Sequence, residues 1–216
     1  TGHKLGAEVT LVALDGTTRA LTLAEAVREL DTVSGEGGFV KTTGAVIGPY
    51  DLEGVPVLPL HDLIGGLPEG ADLEIAATDG YVMVLSHSQV LGNALTYNGE
   101  GRAGPMGGVK MIMAHKRDGE VGFDGAPRMA YIDGEPAFTD GHFWVRDVAT
   151  LTVIQGVDDW EVVIEGPETY VLDRGAYQSL ATCPSGDHEN CTYEHVDADG
   201  GTHVYEGVPL WVLVAK

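Results

Sequence analysis

Leu52-Glu53-Gly54-Val55-Pro56-Val57 recurs as Tyr205-Glu206-Gly207-Val208-Pro209-Leu210, 153 residues further along the chain. The same offset separates Ala7-Glu8-Val9-Thr10-Leu11 from Trp160-Glu161-Val162-Val163-Ile164. Two anchors with one common spacing indicate a duplicated unit, because chance echoes have no reason to share an offset. The repeat predicts a complete first unit over 1–155 and a partial second unit over 156–216 that carries only the first part of the pattern. After the second phrase comes Leu210-Trp211-Val212-Leu213-Val214, an apolar stretch that needs cover. Residues 205–214 are therefore expected to dock on the first unit or on a second chain, giving a homodimer.

Composition narrows the classes of partner. The 216 residues carry 33 Asp+Glu against 12 Lys+Arg, a formal net charge of -21. Nucleic-acid binding rests on Lys and Arg neutralising phosphates, so a DNA or RNA partner is excluded from the reading. The acidity itself reads as solubility, with a high-salt habitat as one source of it. At 44% hydrophobic the chain can bury a core, yet it contains no apolar run of the roughly 18–20 residues that a helical membrane span needs. Asp197-Ala198-Asp199-Gly200-Gly201 begins like a calcium loop but lacks the closing acidic ligand.

Cys183 and Cys191 flank Pro-Ser-Gly-Asp-His-Glu-Asn. Pairing them as a disulfide closes a small loop and implies an oxidising compartment, extracellular or in the cell envelope. A rival reading takes Cys183, His188, Cys191 and His195 as four zinc ligands, chemically suitable but not at a standard finger spacing.

Local patterns place the elements. Strands are expected over 8–14 and 39–46, a helix over 23–30 with Leu23, Ala26, Val27 and Leu30 on one face, and a short helix over 59–64 closed by Gly65-Gly66. Gly-rich 34–38 and Pro-containing 49–54 read as turns. Thr78-Asp79-Gly80 reads as the turn of a hairpin between 73–77 and 81–85. Ser86 reads as the cap of a short helix begun by His87. Residues 98–108 read as loop, 109–114 and 128–132 as strands, and 143–154 as strand, bend and strand. In the second unit the pattern gives a strand over 160–165, a helix over 173–180, and strands over 192–197 and 203–205. Strands alternating with short helices predict an α+β domain with mixed or mostly antiparallel sheets. Ser34 to Thr43 looks superficially like a phosphate-binding loop, but Val40 rather than Gly precedes Lys41, so a nucleotide site is not expected.

Four segments in order carry a family resemblance: Gly54-Val55-Pro56-x-x-x-Leu60-x-Asp62-Leu63-Ile64, Ala77-Thr78-Asp79-Gly80-Tyr81, Gly125-Ala126-Pro127-Arg128-Met129, and Gly141-His142-Phe143-Trp144-Val145-Arg146-Asp147-Val148. Together they resemble the oxidoreductase molybdopterin-binding domain of the sulfite-oxidase-like family, over residues 8–154 and, as a partial second pass, 160–213. The resemblance implies that family's α+β fold. In active members it implies a pterin-bound molybdenum performing two-electron redox at oxygen.

The residues depart from that pattern in two places. Active members supply a Cys thiolate from the strand before the Gly-Val-Pro phrase. Here the region reads Phe39-Val40-Lys41-Thr42-Thr43-Gly44-Ala45, and a threonine hydroxyl is a hard donor that does not replace a soft thiolate. The family's Arg two residues after the Pro is Met129 here; Arg128 lies one residue earlier, on the opposite face of a strand. Arg146 does match a basic position of the family. His115 reads either as an exposed turn residue or as one facing a ligand at the sheet end. The resemblance thus implies a cofactor cleft walled by Thr42, Thr43, Tyr81, His115, His142 and Arg146. The expected function is a non-catalytic, extracellular binding or structural module with no cofactor, taking a small anionic ligand. The alternative is a molybdopterin-dependent oxidoreductase domain, with molybdenum or tungsten, completed by the full-length protein or a partner.

Overall fold

The computed structural model describes residues 4–41, 43–132, 137–157, 160–165, 170–174, 177, 191–197 and 199–209. The chain divides into two compact units, Thr1–Val157 and Asp158–Lys216.

The first unit opens with a hairpin of β1 (Glu8–Val12) and β2 (Thr18–Thr22). Val9 and Leu11 are fully buried and Thr10 between them is not, the alternation of a strand with one covered face. Thr22 ends β2 and caps α1 (Leu23–Glu29). Its hydroxyl accepts the Glu25 N–H at 3.2 Å, and the Glu25 carboxylate accepts the Thr22 N–H at 2.7 Å, so both orphan donors are satisfied in a capping box. Leu23 and Ala26 turn the buried face of α1 inward.

β3 (Val33–Val40) and β4 (Val46–Pro56) form the next antiparallel pair. They absorb both 34–38 and 49–54, which were expected as turns. The glycines have a tertiary reason rather than a turn reason. A Cβ on Gly37 would overlap the Tyr131 carbonyl, and one on Gly38 would lie 2.5 Å from the Ile47 carbonyl oxygen. Gly54 is likewise pressed on β4's other neighbour, 2.5 Å from the Met113 carbonyl oxygen at its would-be Cβ. Glycine is used here because backbones approach closely.

Pro56 leads into α2 (Val57–Asp62), which ends where the Gly66 N–H donates to the His61 carbonyl at 2.9 Å. Gly65 and Gly66 adopt φ of +103° and +85°, a turn that a side chain would strain. β5 (Ala71–Ala77) and β6 (Val82–Leu85) make the hairpin expected about Asp79-Gly80. Ser86 and Gln89 form a capping box on α3 (His87–Val90). Then follow β7 (Leu95–Tyr97), β8 (Ala103–Met106), β9 (Lys110–Arg117), β10 (Glu120–Val121), β11 (Arg128–Ile132), β12 (Ala137–Asp140) and β13 (Val148–Gln155). The stretch read as strand, bend and strand is instead a 3-10 turn at Gly141–Phe143, an irregular link over 144–147 and then β13.

These strands form two sheets, one ordered β2-β1-β13-β5-β6 and one ordered β10-β9-β4-β3-β12-β7-β8 with β11 paired to β9. Pairing is antiparallel except at β1 with β13 and β3 with β12. The late strands β12 and β13 thus enter different sheets, each beside an early strand. The link between them, residues 141–147, passes from one sheet to the other. Val9, Leu11, Leu73, Ile75, Met113, Met129, Tyr131 and Leu151 are among the buried side chains of one continuous core.

The second unit contains β14 (Glu161–Ile164) paired with β15 (Tyr170–Asp173), and β16 (Cys191–Val196) paired with β17 (Thr202–Gly207). The repeated sequence anchors fall on β1 and β14 and on β4 and β17. In the first unit β1 also pairs with β13 and β4 with β9; among the described residues β14 and β17 have one neighbour each. Most of the helix expected over 173–180, and residues 210–214 of the proposed docking segment, lie outside the described residues.

The architecture corrects the α+β expectation: among the described residues strands dominate and the helices are few and short. The short helices α1, α2 and α3 serve as one- or two-turn connectors and build no layer of their own. Among the described residues no helix is long and apolar enough to cross a membrane.

Candidate functional site

A cleft of about 370 Å³ opens in the first unit, lined by residues of three segments. From the end of β3 and its following turn come Phe39, Lys41 and Thr43. From the β5–β6 hairpin come Ala77, Asp79 and Tyr81. From the link between the sheets come Gly141, His142, Trp144, Val145 and Arg146. The site therefore stands where the chain leaves one sheet for the other, and each wall is held by a local structure.

The β3–β4 turn is closed by the Lys41 N–H donating to the Ala45 carbonyl at 2.9 Å and the Gly44 N–H donating to the Lys41 carbonyl at 2.8 Å. The hairpin turn is held by Asp79, whose carboxylate accepts the Tyr81 N–H at 3.0 Å. In the link, Asp140 accepts the His142 N–H at 2.9 Å and faces His142 Nδ1 at 2.7 Å, which orients the imidazole. Trp144 is buried, and its indole Nε1 donates to Thr139 Oγ1 at 2.8 Å. The Phe39 and Trp144 rings meet at 5.2 Å between centroids with a 40° tilt. They form a rigid aromatic wall.

Charge in the cleft is mixed. Lys41 and Arg146 oppose one lining carboxylate, Asp79. Arg146 Nε lies 3.3 Å from Asp147 Oδ2, and Lys4 Nζ lies 2.6 Å from Asp147 Oδ1. Asp147 is thus shared between two cations. Burial acts to raise its carboxyl, but the bonds from Lys4 and Arg146 hold it below the ordinary carboxylate value. Among the described residues Lys41 forms no ion pair. Cations at an aromatic wall suit a molecule with an anionic head and a flat or apolar body.

Of the residues expected at a cofactor cleft, Thr43, Tyr81, His142 and Arg146 line this one. Thr42 lies outside the described residues. His115 stands elsewhere, buried on β9, with Nε2 3.6 Å from Glu53 Oε1. Its Nδ1 is buried without a hydrogen-bond partner among the described residues. Burial lowers its pKa, with Glu53 acting in the opposite direction. It is neither an exposed turn residue nor part of the cleft, because β9 runs on to Arg117 and keeps His115 inside the sheet.

Phe39 and Lys41 were not among the expected site residues. A signal was present in the sequence: in the strand expected over 39–46, positions 39, 41 and 43 share one parity and therefore one face. Met129, where the resemblance implies an arginine, is fully buried in the core. Arg128 does not line the cleft but packs on its aromatic wall, with its guanidinium carbon 5.3 Å from the Phe39 ring centroid and 5.8 Å from that of Trp144.

The cleft does not fit a thiolate-bound molybdenum. Its lining offers hydroxyls, an imidazole, a carboxylate and cations, but no sulfur. Those are poor donors for a metal that takes soft thiolate ligation. Cys183 and His188 lie outside the described residues, as does the Cys191 side chain, so both the disulfide and the zinc quartet fall there. His195 is on β16, its ring stacked on Tyr193 at 6.5 Å. Among the described residues no group of three or more His, Cys, Asp or Glu is placed to hold a metal ion.

No family model matches the chain, and no curated protein matches it.

Proposed function

We propose that the Thr1–Val157 unit is a binding module for a small anionic molecule, and a non-catalytic relative of the molybdopterin-binding oxidoreductases. The observation that carries this reading is the composition of one cleft. Lys41 and Arg146 stand beside Phe39, Tyr81 and Trp144, and no thiolate is among them. The family relationship rests on the four ordered sequence segments. The loss of redox chemistry rests on threonines where a sulfur ligand belongs and on a core methionine where an arginine belongs.

Binding follows from simple terms. Lys41 and Arg146 hold the anionic group, each exposed contact adding up to about 1 kcal/mol. The Phe39–Trp144 wall covers the apolar part, with about 25 cal/mol for each Å² of apolar surface removed from water. Asp140 and Asp79 hold the flanking walls in shape. An extracellular setting belongs to the same reading and rests on Cys183 pairing with Cys191; a thiol count on the denatured, unreduced chain tests it. The test of the main reading is elemental and pterin analysis of natively purified protein. Molybdenum, tungsten and pterin are expected far below stoichiometry, and one metal with one pterin per chain contradicts the proposal.

A further inference from the structure

Arg146 lines the cleft and is followed directly by an acid, Asp147. Left to itself that carboxylate would neutralise the guanidinium and leave Lys41 to face an anion alone. A third residue intervenes. Lys4 lies 143 positions from Asp147 in the chain, yet its Nζ donates to Asp147 Oδ1 at 2.6 Å, while Arg146 Nε donates to Oδ2 at 3.3 Å. Lys4 makes the shorter contact. Among the described residues Arg146 is paired through Nε only, which leaves the two terminal nitrogens of its fork for a ligand.

Both partners of this contact are fixed by backbone bonds. Lys4 opens the 3-10 turn Lys4–Gly6. Its carbonyl accepts the Ala7 N–H at 3.1 Å, and the Ala7 carbonyl accepts the Leu23 N–H at 2.9 Å, which ties the turn to the start of α1. The Lys4 Cβ rests against Gly122, 3.3 Å from where a Cβ would stand there. The Asp147 N–H donates to the Gly125 carbonyl at 2.9 Å, and its carbonyl accepts the Thr78 N–H at 3.0 Å, beside the cleft residue Asp79. Asp147 has φ +50°, a left-handed value that Asp and Asn tolerate better than other side chains. Ion pairs as exposed as these add little to stability. Their consequence is where the carboxylate, and with it Arg146, is held.

We propose that Lys4 and Asp147 are positioning residues for the anion site: Lys4 satisfies Asp147 from outside the cleft, and Asp147 then orients Arg146 without neutralising it. The inference rests on the reading of the cleft as an anion site and adds to it the N-terminal turn, which lines no part of the cleft. The ligand group that suits the arrangement is a carboxylate, which accepts two parallel N–H bonds from the end of an arginine fork.

A double-mutant cycle on the full chain, titrated with benzoate at low ionic strength, tests this. K4Q should weaken benzoate by about threefold or more, the scale of one partly exposed ion pair. In the D147N background K4Q should change affinity by less than about 1.5-fold, because Lys4 acts through Asp147. The same factor in both backgrounds, or no effect of K4Q on the unmodified chain, overturns the proposal. A second readout needs no ligand: the Arg146 Nε–H cross-peak of the isotope-labelled chain. It should shift in K4Q and in D147N, and an unmoved peak in K4Q overturns the proposal even where D147N fails to fold. Absence of saturable benzoate binding to the unmodified chain contradicts the cleft reading instead, and the cross-peak then decides the positioning by itself.

Discussion

Trp144 Nε1 donates a 2.8 Å hydrogen bond to Thr139 Oγ1, and both residues are buried. This bond ties the aromatic wall of the cleft to β12, the strand that inserts beside β3. Thr139→Val keeps the shape but leaves the indole N–H unsatisfied, a loss of about 1–3 kcal/mol. Thr139→Ser retains the oxygen and should lose less. Chemical denaturation of the two variants, compared with the original chain, checks the order.

The duplicated Glu-Gly-Val-Pro phrase places glycines in unlike surroundings. A Cβ on Gly54 would sit 2.5 Å from the Met113 carbonyl oxygen and 2.8 Å from the Ala114 Cα, both backbone atoms of β9. On Gly207 the nearest contact is the tip of the Tyr177 side chain, at 3.2 Å. Gly54→Ala is therefore expected to destabilise by about 1–3 kcal/mol, and Gly207→Ala by about 0.5 kcal/mol or less. Melting curves of both variants decide whether one motif carries two different constraints.

His61 is fully buried, its Nδ1 3.0 Å from the Val57 carbonyl oxygen and its Nε2 without a partner among the described residues. Burial pushes its pKa below the ordinary 6.5. The unfolded chain thus gains a proton at a higher pH than the folded chain does. Stability from this group is full above about pH 6.5 and falls as the pH drops toward the lowered folded value, by up to about 1.4 kcal/mol per pH unit. His115, lowered in the same direction, adds to the slope. His61→Leu should flatten the pH dependence of unfolding between pH 7 and 5 without abolishing it. An unchanged slope assigns the effect to other groups.

The β16–β17 hairpin exposes Tyr193, Val196, Val204 and Tyr205. Exposed edges and apolar faces favour pairing with another chain. Light scattering behind size exclusion is expected to show a concentration-dependent dimer. A monomer at high protein concentration contradicts it, unless residues 205–214 are docked within their own chain.

Local chemistry was legible in the sequence wherever it decided the structure. Asp79-Gly80 marked its hairpin, and Ser86 marked the start of α3, because turns and caps are settled within a few residues. Gly37, Gly38 and Pro49 misled because their reasons lie across the fold. Two of these glycines make room for the backbones of Tyr131 and Ile47, so a strand looked like a turn. The parallel pairings of β12 and β13 join residues about 100 or more positions apart, and no local pattern records them. Family order brought Thr43, Tyr81, His142 and Arg146 into view, whereas His115 was misplaced because β9 continues past it. Strand parity would have added Phe39 and Lys41.

The cleft is expected to bind an anion against its aromatic wall. Titration of the isotope-labelled full chain with benzoate, followed by two-dimensional amide and indole NMR, examines that claim residue by residue. Saturable shifts confined to Phe39, Lys41, Tyr81, the Trp144 indole and Arg146 are predicted, and they should be lost in K41Q/R146Q. No saturable shift, or shifts scattered away from these residues, contradicts the account.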